Sequence, residues 1–162
     1  MKKRLKVGDV IQIPVAEYRV SYAQLLIARD VLFVLVGSKL WMAADGVPKN
    51  TSDLDPIFWA WTLDAKIYHG HWAVVGNWPV QMDECDLPIY KVGYEGRVFL
   101  ESFSGQKLRE ASSEEVERVP YRTTISPIAI ERCIKRLHGL SQDDVPLDEC
   151  LIANTVVLSD VV

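Results

Sequence analysis

Hydrophobic and polar positions alternate with strand-like periods over most of this chain, and a helical period takes over only near its end. Residues 10–15, Val10-Ile11-Gln12-Ile13-Pro14-Val15, read as a β-branched strand launched by the Gly8-Asp9 turn, with Pro14 placing its end near a sheet edge. Residues 18–28 and 31–36 are two further apolar runs, separated by Arg29-Asp30, the length of a hairpin loop. Residues 44–56 are polar and rich in breakers and predict a long exposed loop. In the run 57–63, Trp59 and Trp61 stand two residues apart, which puts both indoles on one face of a strand. Residues 72–76 predict a short buried strand that turns out through Asn77-Trp78-Pro79, and residues 89–92 and 97–103 flank Gly93-Tyr94-Glu95-Gly96 as a hairpin.

The helical signal lies in the last third. Ser126 can cap, Pro127 suits the first helical position, and Ile130, Cys133, Ile134 and Leu137 follow at i, i+3, i+4 and i+7, with Glu131 on a different face. Lys135, Arg136 and His138 complement the negative end of the helix dipole, and Gly139 can end it. A shorter helix starts at Ser112, whose spacing to Glu115 is that of a capping box, and Pro120 limits its length. Beyond Pro146, residues 155–158 are either a final strand or a docked tail. Together these elements predict an α+β fold: a bent or barrel-like antiparallel β-sheet with a C-terminal helix packed on it.

At 162 residues the expectation is a single domain over residues 1–162, with a small second lobe as the alternative. The most apolar stretch, residues 25–37, is interrupted by Arg29-Asp30 and falls short of the ~20 apolar residues of a membrane helix. The basic start, with Lys2, Lys3, Arg4 and Lys6, is followed by no long apolar stretch, so neither export nor a membrane association is expected. Cys85, Cys133 and Cys150 are odd in number, widely separated and without a CxxC pair, a poor basis for a disulfide framework or a zinc site and a fit to the reducing cytoplasm. The net charge is −4, with Asp143, Asp144, Asp148, Glu149 and Asp160 gathered at the end. An acidic balance argues against direct nucleic-acid binding, which depends on Lys and Arg neutralising phosphates.

Few residues suggest chemistry. His69 and His71 would share one face of a strand, where Cys85 or Asp83 can complete a metal site; an exposed pair at the Gly70 turn is the plainer reading. Cys133 with His138 is a formal nucleophile and base, but five helical positions apart they share a face poorly, and Cys133 lies on the apolar stripe. GxSxG, HExxH and phosphate-binding glycine loops are absent. The expectation is therefore a protein with no catalytic residue, no cofactor and no metal. Its candidate partner-binding residues are Asp53, Asp55, Trp78, Asp83, Glu84 and Asp86, a set of carboxylates with one turn-bordering indole suited to a basic partner. The alternatives are a small enzyme with an unfamiliar site near His69 and His71, or an SH3-like module that binds peptide or nucleic acid through residues 2–6.

The stretch Lys6-Val7-Gly8-Asp9-Val10-Ile11-Gln12-Ile13-Pro14-Val15, followed by Tyr22-Ala23-Gln24-Leu25-Leu26, resembles the opening of the immunity protein 26 family. Trp72-Ala73-Val74-Val75-Gly76, with Leu87-Pro88 after it, is similar to that family's Trp-x-apolar-apolar-Gly strand. The resemblance covers residues 6–90, and Gln24 stands where the family's pattern leads one to expect a basic residue. It implies a bacterial immunity protein of a polymorphic-toxin or contact-dependent growth inhibition system, which binds and neutralises a cognate toxin domain in the cytoplasm and carries no catalytic residues; the acidic residues make a basic nuclease the candidate toxin.

Overall fold

The computed structural model describes residues 4–162, so Lys2 and Lys3 of the basic arm lie outside the described residues. Antiparallel sheets and a few short helices give the α+β architecture that the pattern predicts. The chain divides into two compact units, one built from residues up to Gln81 with Thr124–Asn154, the other from Met82–Thr123 with Thr155–Val162. No helix among the described residues is long and apolar enough to cross a membrane.

Unit 1 holds the strands β1 (Asp9–Ala16), β2 (Arg19–Ala28), β3 (Leu32–Gly37), β4 (Trp41–Met42), β5 (Pro56–Thr62) and β6 (Ala73–Asn77). They form one antiparallel sheet in the order β5-β3-β2-β1-β6, with β4 paired to the start of β2. The sheet carries bulges in its β1, β2 and β3 pairings, which bend it. It does not close into a barrel: β5 and β6 are its two edges. Segments of the same unit cover the β5 edge through bridges from Phe58 to Leu151 and from Trp61 to Thr124.

Both faces of the sheet are buried along β2 and β3, which is why these strands read as nearly continuous apolar runs, whereas edge strand β6, expected to be buried, has no buried residue. Ile11, Ile13, Val15, Ala23, Leu25, Val34, Val36, Phe58 and Ala60 share one cluster with Ile130, Cys133 and Ile134 of helix α4 (Pro127–Leu137) and Cys150 of helix α5 (Leu147–Cys150). On the other face Tyr22, Gln24, Phe33, Leu35, Trp59 and Trp61 are buried, and the Phe33 ring meets the Trp59 and Trp61 rings at centroid distances of 5.8 and 4.9 Å. The two indoles share a strand face, as their spacing predicts.

Helix α4 starts where its caps predict, with Ser126 Oγ accepting from the Ala129 amide at 3.1 Å and Pro127 in the first turn. Ile130 and Ile134 are fully buried, each stabilising the fold by roughly 1.5–3 kcal/mol of transferred side chain. Glu131 does more than occupy a different face. Its carboxylate accepts from the indole Nε1 of buried Trp72 at 2.8 Å and sits 3.4 Å from Lys66 Nζ. The breaker-rich region before β5 also differs from expectation, because Asn50 caps a four-residue helix, α1 (Thr51–Leu54), by accepting from the Asp53 amide at 2.8 Å.

Unit 2 is a second, separate antiparallel sheet, β7 (Tyr90–Tyr94), β8 (Arg97–Glu101) and β9 (Lys107–Glu110), where the sequence pattern predicts one sheet for the whole first two-thirds. The hairpin between β7 and β8 turns at Glu95-Gly96, whereas Gly93, expected in the turn, lies within β7 opposite Val98. Every residue of β9 is exposed, so this strand carries no hydrophobic alternation to predict it. Helix α3 (Ser113–Arg118) has the predicted capping box from Ser112 to Glu115. Residues 155–158 resolve as a docked tail: the Ile89 amide donates to the Val156 carbonyl at 3.1 Å and the Leu158 amide to the Leu87 carbonyl at 3.1 Å. Val156, Leu158 and Val161 pack on the unit's small core of Ile89, Leu100 and Val119.

Candidate functional site

In unit 1 the candidate residues are organised by a buried polar knot around Gln24. This side chain is fully buried; its Nε2 donates to the Trp78 carbonyl at 3.0 Å and its Oε1 accepts from Thr51 Oγ1 at 3.2 Å. Thr51 Oγ1 in turn accepts from the Gln81 amide at 3.2 Å. One interior glutamine thus ties the loop after β6 to helix α1, the element that carries Asp53 and leads into Asp55.

The Gly8-Asp9 turn completes the anchor. Gly8 has φ +90°, and a Cβ at this position would collide with the Trp78 carbonyl oxygen, so only glycine combines this backbone with this approach. The Trp78 amide donates to the Gly8 carbonyl at 3.1 Å. Asp9 is 2% exposed, and its carboxylate accepts from the Lys6 amide at 2.9 Å and from Asn77 Nδ2 at 3.0 Å. The residues that carry the resemblance at the start of the chain therefore build a scaffold around Trp78.

Displayed on this scaffold, Asp53 and Asp55 are exposed and Trp78 is half-buried. Asp53 Oδ2 accepts from the Lys49 amide at 3.1 Å, and Asp55 Oδ2 accepts from Ser38 Oγ at 2.6 Å. Asp55 adopts a left-handed conformation, φ 51° and ψ 70°, which closes α1 and costs an L-residue roughly 1–2 kcal/mol. Both carboxylates are held by local bonds and still face solvent.

Asp83, Glu84 and Asp86 belong to unit 2, on a short 3-10 turn, Glu84–Asp86, and all three are exposed. Asp83 Oδ1 accepts from the Cys85 amide at 2.9 Å and shapes the turn. It also pushes the exposed Cys85 thiol up from its ordinary pKa, first by accepting a hydrogen bond from the thiol and then by charge. Unit 2 holds ten acidic and six basic side chains, so its net of −4 equals that of the whole chain, while unit 1 is balanced at twelve of each. The acidity that the composition spreads over one chain is concentrated in one unit.

The two chemical alternatives place differently from expectation. His69 and His71 do not align on a strand. His69 ends the short helix α2 (Ala65–Tyr68), Gly70 turns the chain at φ +76°, and both histidines are exposed. No group of three His, Cys, Asp or Glu side chains among the described residues can gather on a metal ion. Cys133 is fully buried in the same hydrophobic cluster as Cys150, while His138 Nε2 is buried without a hydrogen-bond partner and burial lowers its pKa. A polar pocket of about 250 Å³ near the end of α4 is lined by Arg136, Gln142, Asp143 and Asp148, among others, and by none of the candidate residues.

The scaffolding roles of Gln24 and Thr51 escape sequence reasoning, although a glutamine inside the apolar run of β2 is the signal that could have found them. No family model, no curated protein and no solved structure matches the chain.

Proposed function

We propose that this protein is an immunity-type binding protein: it neutralises a cognate toxin domain in the cytoplasm by stoichiometric occlusion, without turnover, cofactor or direct nucleic-acid contact. The observation that carries the proposal is the charge division, with the net of −4 residing in unit 2 and Asp83, Glu84 and Asp86 exposed on one of its turns. A basic toxin, such as a nuclease shaped to hold phosphates, meets such a surface with complementary charge, which accelerates encounter and disfavours acidic partners. Asp53, Asp55 and half-buried Trp78 offer unit 1 a second contact region, on turns fixed by Gln24 and Gly8 so that little ordering is needed on binding. The resemblance of residues 6–90 to the immunity protein 26 family supports the same reading.

The test is to co-express the cognate toxin domain with the wild type or with Asp83→Lys, Glu84→Lys and Asp86→Lys combined. Association of the folded triple variant should slow by roughly 10- to 100-fold at low salt, and the wild-type advantage should shrink as salt rises. Unchanged affinity and full protection by the variant would remove this turn from the interface.

A further inference from the structure

Residues 155–162 cover part of unit 2 without belonging to its sheet. Val157 faces Pro88 in an isolated antiparallel bridge, flanked by the two backbone bonds of that pairing, Ile89 amide to Val156 carbonyl and Leu158 amide to Leu87 carbonyl, both 3.1 Å. Pro88 lacks an N–H, but its neighbours make both bonds, so none is needed from it. Val156, Leu158 and Val161 pack on a floor of Ile89, Leu100 and Val119, each 0% exposed. Arg109 Nη2, already paired with Glu115, donates to the Val161 carbonyl at 2.8 Å. This is the geometry of strand addition, in which main-chain bonds hold an extended segment and an apolar surface selects its side chains.

Two observations mark the segment as a replaceable occupant. None of its residues is buried, although the floor beneath it is, so the floor needs a cover and this cover is loose. Ordering the segment offsets much of what one bridge and three half-buried side chains contribute. The second observation is charge: the 3-10 turn Leu158–Asp160 lies against the acidic turn Glu84–Asp86, and residues 155–162 carry Asp160 but no Lys or Arg. The segment therefore fits the backbone and the floor yet brings like charge to Asp83, Glu84 and Asp86, where a cation is favoured.

We propose that the groove formed by Leu87, Pro88, Ile89, Leu100, Val119 and Arg109 is a docking site for an extended segment of a basic partner protein. That segment is apolar at the positions of Val156, Leu158 and Val161 and carries Lys or Arg at the positions of Ser159 and Asp160. Residues 155–162 close the site as an internal stand-in. The site stands on unit 2 alone: failure of peptide binding leaves the neutralisation reading intact, and failure of neutralisation leaves the site intact.

The probe is a fluorescein-labelled peptide of residues 154–162 with Ser159→Lys and Asp160→Asn. The asparagine keeps an acceptor for the Val157 amide, which Asp160 Oδ2 accepts at 2.9 Å. In the full wild-type chain the peptide competes with the tethered segment. The full chain carrying Leu158→Ser, whose own segment has lost an apolar anchor, should bind the peptide roughly 10-fold more tightly by fluorescence anisotropy. The peptide of natural sequence should bind that variant about 3-fold more weakly or worse at low salt, and the gap should close as salt rises. In the wild type, with no substitution, the Ile89 and Leu158 amides should exchange with deuterium roughly 10-fold faster than the protected amides of the β7–β8 ladder. The site is overturned by no saturable binding to a Leu158→Ser chain whose ladder amides stay protected, by no preference for the basic peptide, or by Ile89 protection equal to that of the ladder. A dimer that the peptide dissolves would give the groove to the segment of a second copy and overturn its assignment to a basic partner.

Discussion

Replacing Gln24 by leucine keeps the approximate volume of a fully buried side chain and deletes both of its hydrogen bonds, to the Trp78 carbonyl at 3.0 Å and from Thr51 Oγ1 at 3.2 Å. A buried group stripped of its partner costs about 1–3 kcal/mol, and two groups are stripped here. Thr51 keeps its bond from the Gln81 amide and the Trp78 carbonyl is only partly buried, which holds the sum toward its lower end. The expected loss is about 2–3 kcal/mol, or roughly 4–10 °C in the thermal midpoint for a chain of this length. Urea titration followed by tryptophan fluorescence reads it directly. Adding Thr51→Val gives a double-mutant cycle. Because both changes remove the same bond, the combined loss should be smaller than the sum of the single losses by at least about 0.5 kcal/mol. A Gln24→Leu protein within about 0.5 kcal/mol of wild type, or strictly additive losses, would refute the knot as the anchor of the Trp78 loop.

Ile134→Ala empties a fully buried position under the sheet and should destabilise by roughly 2–5 kcal/mol in the same titration. Glu131→Ala orphans the buried Trp72 indole N–H and should cost about 1–3 kcal/mol, whereas Arg132→Ala, on an exposed side chain with a long 3.9 Å ion pair, should stay within about 0.5 kcal/mol. Glu115 gives unit 2 a pH signature. Its pKa is lowered from 4.5 to about 2, first by the hydrogen bond from Arg109 and then by the Ser112 amide. A carboxylate depressed on folding contributes stability that is fully present above its unfolded pKa and lost as pH falls through the folded one. Acid titration of unit 2 should therefore lose stability between about pH 4.5 and 2, and Glu115→Gln should flatten that part of the curve.

Local rules made much of the fold readable. The β-branched run of β1, the Arg29-Asp30 link between β2 and β3, the glycine turn after β7, the capping box of α3 and the Ser126-Pro127 start of α4 each rest on neighbours within a few residues. What stayed hidden depends on distant partners or lacks a pattern. β9 has no buried face, α1 and α2 are too short for a helical period, and the separate sheet of unit 2 follows from pairings that no single segment displays. The same division holds for the candidate site. The acidic turn was visible because charge is local, and the Asn50 cap that holds Asp53 was legible in kind, as Asn followed three residues later by Asp. The convergence of Gly8, Gln24 and Thr51 on the Trp78 loop was not, since it joins residues from separate elements.

The central claim, neutralisation by occupation, is tested most directly by titrating purified protein into a fixed concentration of the proposed cognate toxin domain and recording residual toxin activity. Occlusion predicts a linear fall that ends at one equivalent of protein, with a 1:1 complex recovered at the end point and a residual activity that rises again with salt. Loss of activity at strongly sub-stoichiometric protein, or full activity beyond one equivalent with no complex formed, would contradict it.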